Sequence, residues 1–128
     1  MIFHTPPRKY HTQMALPLEL CPIPGENHPS MTLPADPAAR KGIPIASGVL
    51  DYFPLAIAEV AKCSKAGNDQ HNPGQPLHWA RDKSTDHADC IVRHLIDRGT
   101  VDTDGVRHSA KLAWRALAAL QLELEKAQ

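Results

Sequence analysis

The chain has 128 residues, long enough for one domain, and its 14 Lys and Arg balance its 14 Asp and Glu. Without a positive field, nucleic acid and anionic membranes are not expected partners, and no apolar run reaches the roughly 18 residues of a membrane-spanning helix. The N-terminus lacks the layout of a secretory signal, and the three cysteines show no CxxC spacing. These features are typical of a reduced, cytoplasmic protein.

Proline divides the chain into two parts. Nine of the 12 prolines precede residue 50, and proline both removes a backbone donor and biases its predecessor away from helix. Residues 1–41 are therefore predicted to form an extended, proline-rich arm. The domain is expected to occupy residues 42–128.

The first helix is predicted from Asp51 to Ala66, with Gly67 as its stop. At 3.6 residues per turn, one stripe of this helix contains Tyr52, Leu55, Ala56, Glu59, Cys63 and Ala66. Glu59 is the only charged member of that stripe. Because a lone buried carboxylate is costly, it is normally paired, protonated or bound to a metal. Glu59 is therefore our first candidate metal ligand.

A turn-rich loop from Asn68 to Trp79 follows, made rigid by Pro73, Gly74 and Pro76. A base could stack on Trp79 while side-chain amides of the loop read the edge of the base. The amide candidates are Asn68, Gln70 and Asn72. The competing interpretation is that Trp79 closes the loop over the core.

The second helix is predicted from Thr85 to Arg98, with Gly99 as its stop. Its apolar stripe contains Ala88, Ile91, Val92, Leu95 and Ile96. Asp86 and Asp89 lie one turn apart, and together with Glu59 they would form an oxygen-rich site for Mg²⁺ or Mn²⁺. The alternative is that both aspartates favour the helix dipole and that Asp89 pairs with Arg93.

The third helix is predicted from Val106 to Glu125. Its seam of alternating three- and four-residue steps contains Ala110, Ala113, Leu117, Leu120 and Leu124. No strand pattern competes, so the predicted fold class is all-α, a small helical bundle. Three such helices bury a thin core, and the wide apolar face of the third predicts a homo-oligomer, a dimer or tetramer.

Basic side chains and histidines complete the candidate residues. Lys62 and Lys65 could neutralise triphosphate oxygens, although lysines late in a helix also suit its dipole. His87 and Cys90, at i and i+3, could ligate zinc, but two ligands do not make a site. His94 and His108 are expected to be packed or hydrogen-bonded.

Several short motifs resemble the phage-type dATP/dGTP diphosphohydrolase family, a branch of the MazG-like all-α nucleotide pyrophosphohydrolases. The resemblance covers about two-thirds of the chain, from Gly42 to Glu123, and is specific as a combination. Its segments are Gly48-Val-Leu-Asp-Tyr-Phe-Pro54, Ser64-Lys-Ala-Gly-Asn68, His71-Asn-Pro-Gly-Gln-Pro-Leu-His-Trp79, Lys83-Ser-Thr-Asp-His-Ala-Asp-Cys90, Arg93-His-Leu95, Asp104-Gly105 and His108-Ser-Ala-Lys-Leu-Ala-Trp114.

The resemblance implies metal-dependent hydrolysis of dGTP and dATP to the monophosphate and pyrophosphate, with Mg²⁺ or Mn²⁺. In phages that use 2-aminoadenine, such an enzyme would feed the modified-purine pathway. Catalytic and metal-binding roles would fall to Glu59, Asp86 and Asp89, and substrate binding to Lys62, Lys65, Asn68, His71, Asn72, Trp79, Lys83 and Arg93. Lys62 and Cys63 occupy the places of a second glutamate, so either Asp51 compensates or the protein holds fewer ions.

Two other functions stay open at this stage. A non-enzymatic helical interaction module would dock a partner on the third helix and leave the acidic residues solvated. A zinc-dependent hydrolase would use the four histidines between residues 71 and 94. The nucleotide pyrophosphohydrolase is the interpretation that we carry forward.

Overall fold

The computed structural model describes residues 33–127, so most of the expected arm lies outside the described residues. Four α-helices follow in chain order: α1 (Pro37–Lys41), α2 (Pro54–His71), α3 (His87–Ile96) and α4 (His108–Lys126), with a π-helical turn at Ala46–Leu50. Within residues 33–127 there is no strand, only an isolated antiparallel bridge. The predicted all-α class is confirmed.

The short helix α1 corrects the expected end of the arm. Asp36 caps it by accepting a hydrogen bond from the backbone N–H of Ala39 at 2.8 Å, and Pro37 begins it. The prediction of extended backbone is therefore wrong for Pro37–Lys41. Proline at the first helical position favours a helix because its fixed φ suits that position.

Both ends of α2 differ from the prediction, and the helix begins at Pro54 rather than at Asp51. Gly67 was expected to stop the helix, but α2 continues through Gly67 to His71. Glycine in a helix interior costs about 1 kcal/mol relative to alanine, which tertiary contacts can offset. The next residue, Asn68, is buried and hydrogen-bonded, and these contacts favour continuation of the helix.

The prediction of α3 and α4 was correct in position, with ends shifted by one or two residues. Gly99 has φ of 83°, in the left-handed region where glycine is favoured, as its predicted role as a stop requires. The connection to α4 is a tight turn in which Asp102 N–H donates to the Val106 carbonyl at 2.9 Å. This turn places Asp102 and Asp104 beside the first turns of α4.

The core lies where α4 packs on α2 and α3. Among the described residues its buried apolar members are small: Cys90, Val106, Ala110 and Ala118. Small side chains let helices approach closely, but they bury little apolar area. The leucines of the predicted α4 seam are half exposed: Leu117 at 52%, Leu120 at 51% and Leu124 at 53%.

On α3, the side facing α4 is not the predicted apolar stripe. Val92, Leu95 and Ile96 are exposed, whereas Cys90 is buried. His87 and His94 are half-buried, one turn to either side of Cys90. The inner face of α3 therefore carries polar, chemically active groups, whereas Ile91 is half-buried and the other large apolar residues of the predicted stripe are exposed to solvent.

Across residues 33–127, no single helix is long and apolar enough to cross a membrane. One bent pair passes the same test of length and composition, the segment Pro37–Leu50 followed by α2 at an angle of 89°.

Candidate functional site

A pocket of about 430 Å³ lies between the second half of α2, the following loop, the start of α3 and the first half of α4. Pockets that hold small ligands measure roughly 300–1,000 Å³. Its polar and aromatic lining residues are Ser64, Asn68, Gln70, His71, Asn72, His78, Trp79, Lys83, Ser84, His87, His94, Asp104, Lys111, Trp114 and Arg115. Of the predicted substrate-binding residues, Asn68, His71, Asn72, Trp79 and Lys83 are brought together here.

The loop between α2 and α3 is fastened to α2 by one buried side chain. Asn68 is 5% exposed, its Nδ2 donates to the Gln75 carbonyl at 3.1 Å, and its Oδ1 accepts from the His78 backbone N–H at 3.1 Å. Both ends of the amide are therefore occupied by the loop. Asn68 shapes the pocket wall, and the expectation that it reads a base edge does not fit these bonds.

The two tryptophans of the chain meet in the pocket. The rings of Trp79 and Trp114 pack edge to face, with centroids 5.8 Å apart at an angle of 79°. The Arg81 guanidinium lies 4.5 Å from the Trp79 ring, and Arg81 Nε donates to Glu125 Oε1 at 3.2 Å. Trp79 thus both lines the pocket and packs against α4, which combines the two sequence-based interpretations.

Lys111 is a half-buried cation whose charge is matched within the chain. Its Nζ lies 2.6 Å from Asp102 and 2.7 Å from Asp104. The hydrogen bond from Lys111 lowers the pKa of Asp102 to about 2 and lowers the pKa of Asp104 below its usual value. Burial lowers the pKa of Lys111, but the two aspartates outweigh burial, so that its pKa is raised.

His94 and His108 form a direct pair beside this cluster. Their Nδ1 atoms are 3.0 Å apart, so one ring must donate and the other must accept. Burial, followed by the charges of His108 and Lys111, lowers the pKa of His94. The expectation that these histidines are packed and hydrogen-bonded is confirmed.

Arg115 is one of the pocket residues that sequence reasoning missed, together with Asp104, Lys111 and Trp114. It reaches the start of α3, where its Nη1 donates to Ser84 Oγ at 2.7 Å and lies 3.4 Å from His87 Nδ1. No described carboxylate pairs with it. Its position in the sequence gave little signal, because Arg115 lies off the predicted seam of the third helix, on the same side as Lys111 four residues earlier.

The three predicted metal-binding carboxylates do not line this pocket. Glu59 is 39% exposed in its side chain and accepts from Lys62 Nζ at 2.9 Å; this hydrogen bond lowers its pKa. Asp86 is 50% exposed and accepts from Arg93 at 3.0 Å, which with the Ser84 hydroxyl lowers its pKa to about 2. Asp89 is exposed in the first turn of α3.

These positions correct the expectation that Glu59 faces inward and lacks a partner. Because a nearby lysine and arginine already neutralise Glu59 and Asp86, neither carboxylate requires a metal ion. Within residues 33–127, no three His, Cys, Asp or Glu residues come close enough to hold a metal ion. The described part of one chain therefore fits neither a three-carboxylate Mg²⁺ or Mn²⁺ site nor a histidine-based zinc site.

Three of the predicted phosphate-binding cations have local partners outside the pocket. Lys62 pairs with Glu59, Lys65 pairs with Asp69, and Arg93 pairs with Asp86. All three pairs are exposed to solvent, and such pairs typically contribute at most about 1 kcal/mol. These side chains could be redirected at small cost, but the structure gives them no place in the pocket wall.

Comparison with known proteins gave no match to a family model, to a curated protein or to a solved structure.

Proposed function

We propose that this protein binds a purine deoxynucleoside triphosphate in the pocket and hydrolyses it to the monophosphate and pyrophosphate. The observation that carries the proposal is a pocket that joins two indole rings to cationic side chains. A purine nucleotide has the same two parts, an aromatic base and a polyanion. Binding is the part supported by the pocket, and hydrolysis is the part implied by the sequence resemblance.

The charge balance of the pocket favours an anion. Lys83, Lys111 and Arg115 line it, and among residues 33–127 Asp104 is the only acidic residue of its lining. Asp104 is already paired with Lys111. The charges of Lys83 and Arg115 are left for a ligand, and oxyanions are the ligands to which lysine and arginine bind best.

The shape of the pocket favours an aromatic group beside that anion. Trp79 is held by Arg81 on one face and by the edge contact with Trp114. Aromatic stacking on a rigid indole loses little conformational entropy on binding. The side-chain amides of Gln70 and Asn72 also line the pocket, and they retain the sequence-based role of contacting the base.

The proposal is tested by measuring pyrophosphate release from dGTP and dATP with Mn²⁺, with Mg²⁺ and with neither ion. Trp79→Ala is expected to weaken nucleotide binding about 10-fold, the effect of losing a stacking partner worth roughly 1–3 kcal/mol. Release of pyrophosphate from neither nucleotide under any of these conditions would refute the enzymatic proposal.

The variants Glu59→Gln and Asp89→Asn separate the two parts of the proposal. If these carboxylates act in hydrolysis, both variants abolish pyrophosphate release and keep nucleotide binding. Unchanged turnover in both variants would exclude Glu59 and Asp89 as catalytic residues. Hydrolysis would then be assigned to residues of the pocket.

A non-enzymatic interaction module is the second candidate function, favoured by the exposed leucines of α4. Such apolar surface is typical of a face that docks another protein, including a second copy of this chain. Thermal melting with Mn²⁺ and dGTP discriminates the candidates, because a ligand that binds only the folded state raises the melting temperature. A module without a nucleotide site would show no shift at millimolar dGTP.

A further inference from the structure

Arg115 differs from the other half-buried cations of the fold. Arg81 is matched by Glu125, and Lys111 is matched by two aspartates. Arg115 is half-buried in the pocket wall, yet its hydrogen-bond contacts among the described residues are to Ser84 and His87, and neither is a carboxylate. A charge removed from water without a counterion is unfavourable, so an anionic ligand at this position would be strongly stabilised.

The neighbouring His87 provides a second, independent observation. Arginine has only donors, so the 3.4 Å contact from Arg115 Nη1 makes His87 Nδ1 an acceptor. The ring proton of neutral His87 then resides on Nε2. That atom is buried and has no hydrogen-bond partner among the described residues, which leaves a donor unsatisfied.

The surroundings of this donor indicate where its partner would come from. The ring of His87 forms part of the pocket wall, as do Lys83 and Ser84 just before α3. No described carboxylate pairs with Lys83. Nε2 itself is closed to solvent, so a ligand in the pocket reaches it only if the ring turns, and the charges of Lys83 and Arg115 carry the preference for an oxyanion.

We propose that Arg115 and Lys83, beside the ring of His87, form an oxyanion subsite that takes the phosphate end of a pocket ligand. The Arg115 guanidinium lies 5.8 Å from the Trp114 ring, so this subsite directly adjoins the aromatic part of the pocket. That the bound phosphates belong to a nucleoside triphosphate rests on the proposed function, whereas the affinity of the subsite for a phosphate oxyanion does not. A bound nucleotide is then oriented with its phosphates at the start of α3 and its base toward Trp79.

The test is the binding of inorganic pyrophosphate and of deoxyguanosine, measured separately by calorimetry on the full chain. Arg115→Gln is expected to weaken pyrophosphate binding by about 10- to 100-fold, the range for loss of a charge-assisted hydrogen bond. The same variant is expected to leave deoxyguanosine binding unchanged. Arg98→Gln is the matched control, because it removes the same charge from an exposed arginine that does not line the pocket.

The outcomes distinguish this subsite from the proposed function. An equal loss of pyrophosphate affinity in both arginine variants, or no pyrophosphate binding by the wild-type chain at millimolar concentration, would overturn the subsite. Arginine-dependent pyrophosphate binding without deoxyguanosine binding or dGTP hydrolysis would keep the subsite and refute the proposed function. Should Arg115→Gln not fold, Lys83→Gln takes its place, since Lys83 is exposed and its loss of affinity carries the same meaning.

Discussion

The substitution Asn68→Ala tests how the pocket is built. It removes two hydrogen bonds, to the Gln75 carbonyl and from the His78 N–H, both at 3.1 Å from a side chain that is 5% exposed. Each such bond contributes about 1 kcal/mol net. Alanine recovers roughly 0.6 kcal/mol in helix propensity. The free energy of unfolding is therefore expected to fall by about 1.5 kcal/mol, which lowers the melting temperature by roughly 5–10 °C in a domain of this size.

The assay is urea unfolding followed by tryptophan fluorescence, because both tryptophans line the pocket beside this loop. Gln70→Ala is the control, since Gln70 lies in the same helix but is exposed, and a change below about 0.5 kcal/mol is expected there. The Asn68→Ala variant is also expected to bind dGTP more weakly than wild type, because the released loop carries Trp79 and Lys83.

Asn68→Asp sharpens the test through its dependence on pH. The carboxylate still accepts from His78 N–H, but it faces the Gln75 carbonyl without a proton to donate. The pKa of this introduced carboxyl is therefore expected to be raised, so the variant should be least stable at neutral pH and should recover relative to wild type as the pH falls and the group becomes protonated. A loss below 0.5 kcal/mol in Asn68→Ala (about the effect of an average surface substitution), or an Asn68→Asp deficit that does not change with pH, would refute the fastening role.

The remaining predictions concern backbone, charge and surface. Gly67→Ala is expected to raise the free energy of unfolding by about 0.5–1 kcal/mol, whereas Gly99→Ala, at φ of 83°, is expected to lower it by about 1 kcal/mol; urea unfolding checks the opposite signs. Stability is expected to fall as the pH drops from the ordinary aspartate value of 3.8 toward 2, because Lys111 lowers the pKa of Asp102 and its carboxylate stabilises the fold only while ionised. Asp102→Asn should reduce this fall in stability at acid pH. An identical pH dependence of stability in the variant and the wild type would contradict the role of Asp102. Leu117→Glu should dissociate any dimer or tetramer formed through α4, and unchanged sedimentation of an oligomeric wild type would exclude that face.

The positions of the helices followed from the sequence, because helix formation depends on contacts between residues three or four apart. Turn signals worked where glycine had to adopt positive φ, as at Gly99, and failed at Gly67, where nothing requires that conformation. Contacts between residues three or four apart also bear on the wrong prediction for Glu59. Glu59 and Lys62 are three residues apart, so their ion pair was as visible in the sequence as the apolar stripe that led us to expect a buried carboxylate.

The composition of the pocket could not be inferred in this way. The contact between Arg115 and Ser84 joins residues 31 positions apart, and that between Arg81 and Glu125 joins residues 44 positions apart. No helical period relates such pairs. The face of α3 that packs against α4 also could not be predicted from the sequence. The apolar face was the reasonable prediction, but the more polar face is the one that packs. Residues distant in sequence meet only through the packing of helices, and that packing depends on the shapes of all the side chains at the interface, here small ones that let α4 approach its neighbours closely.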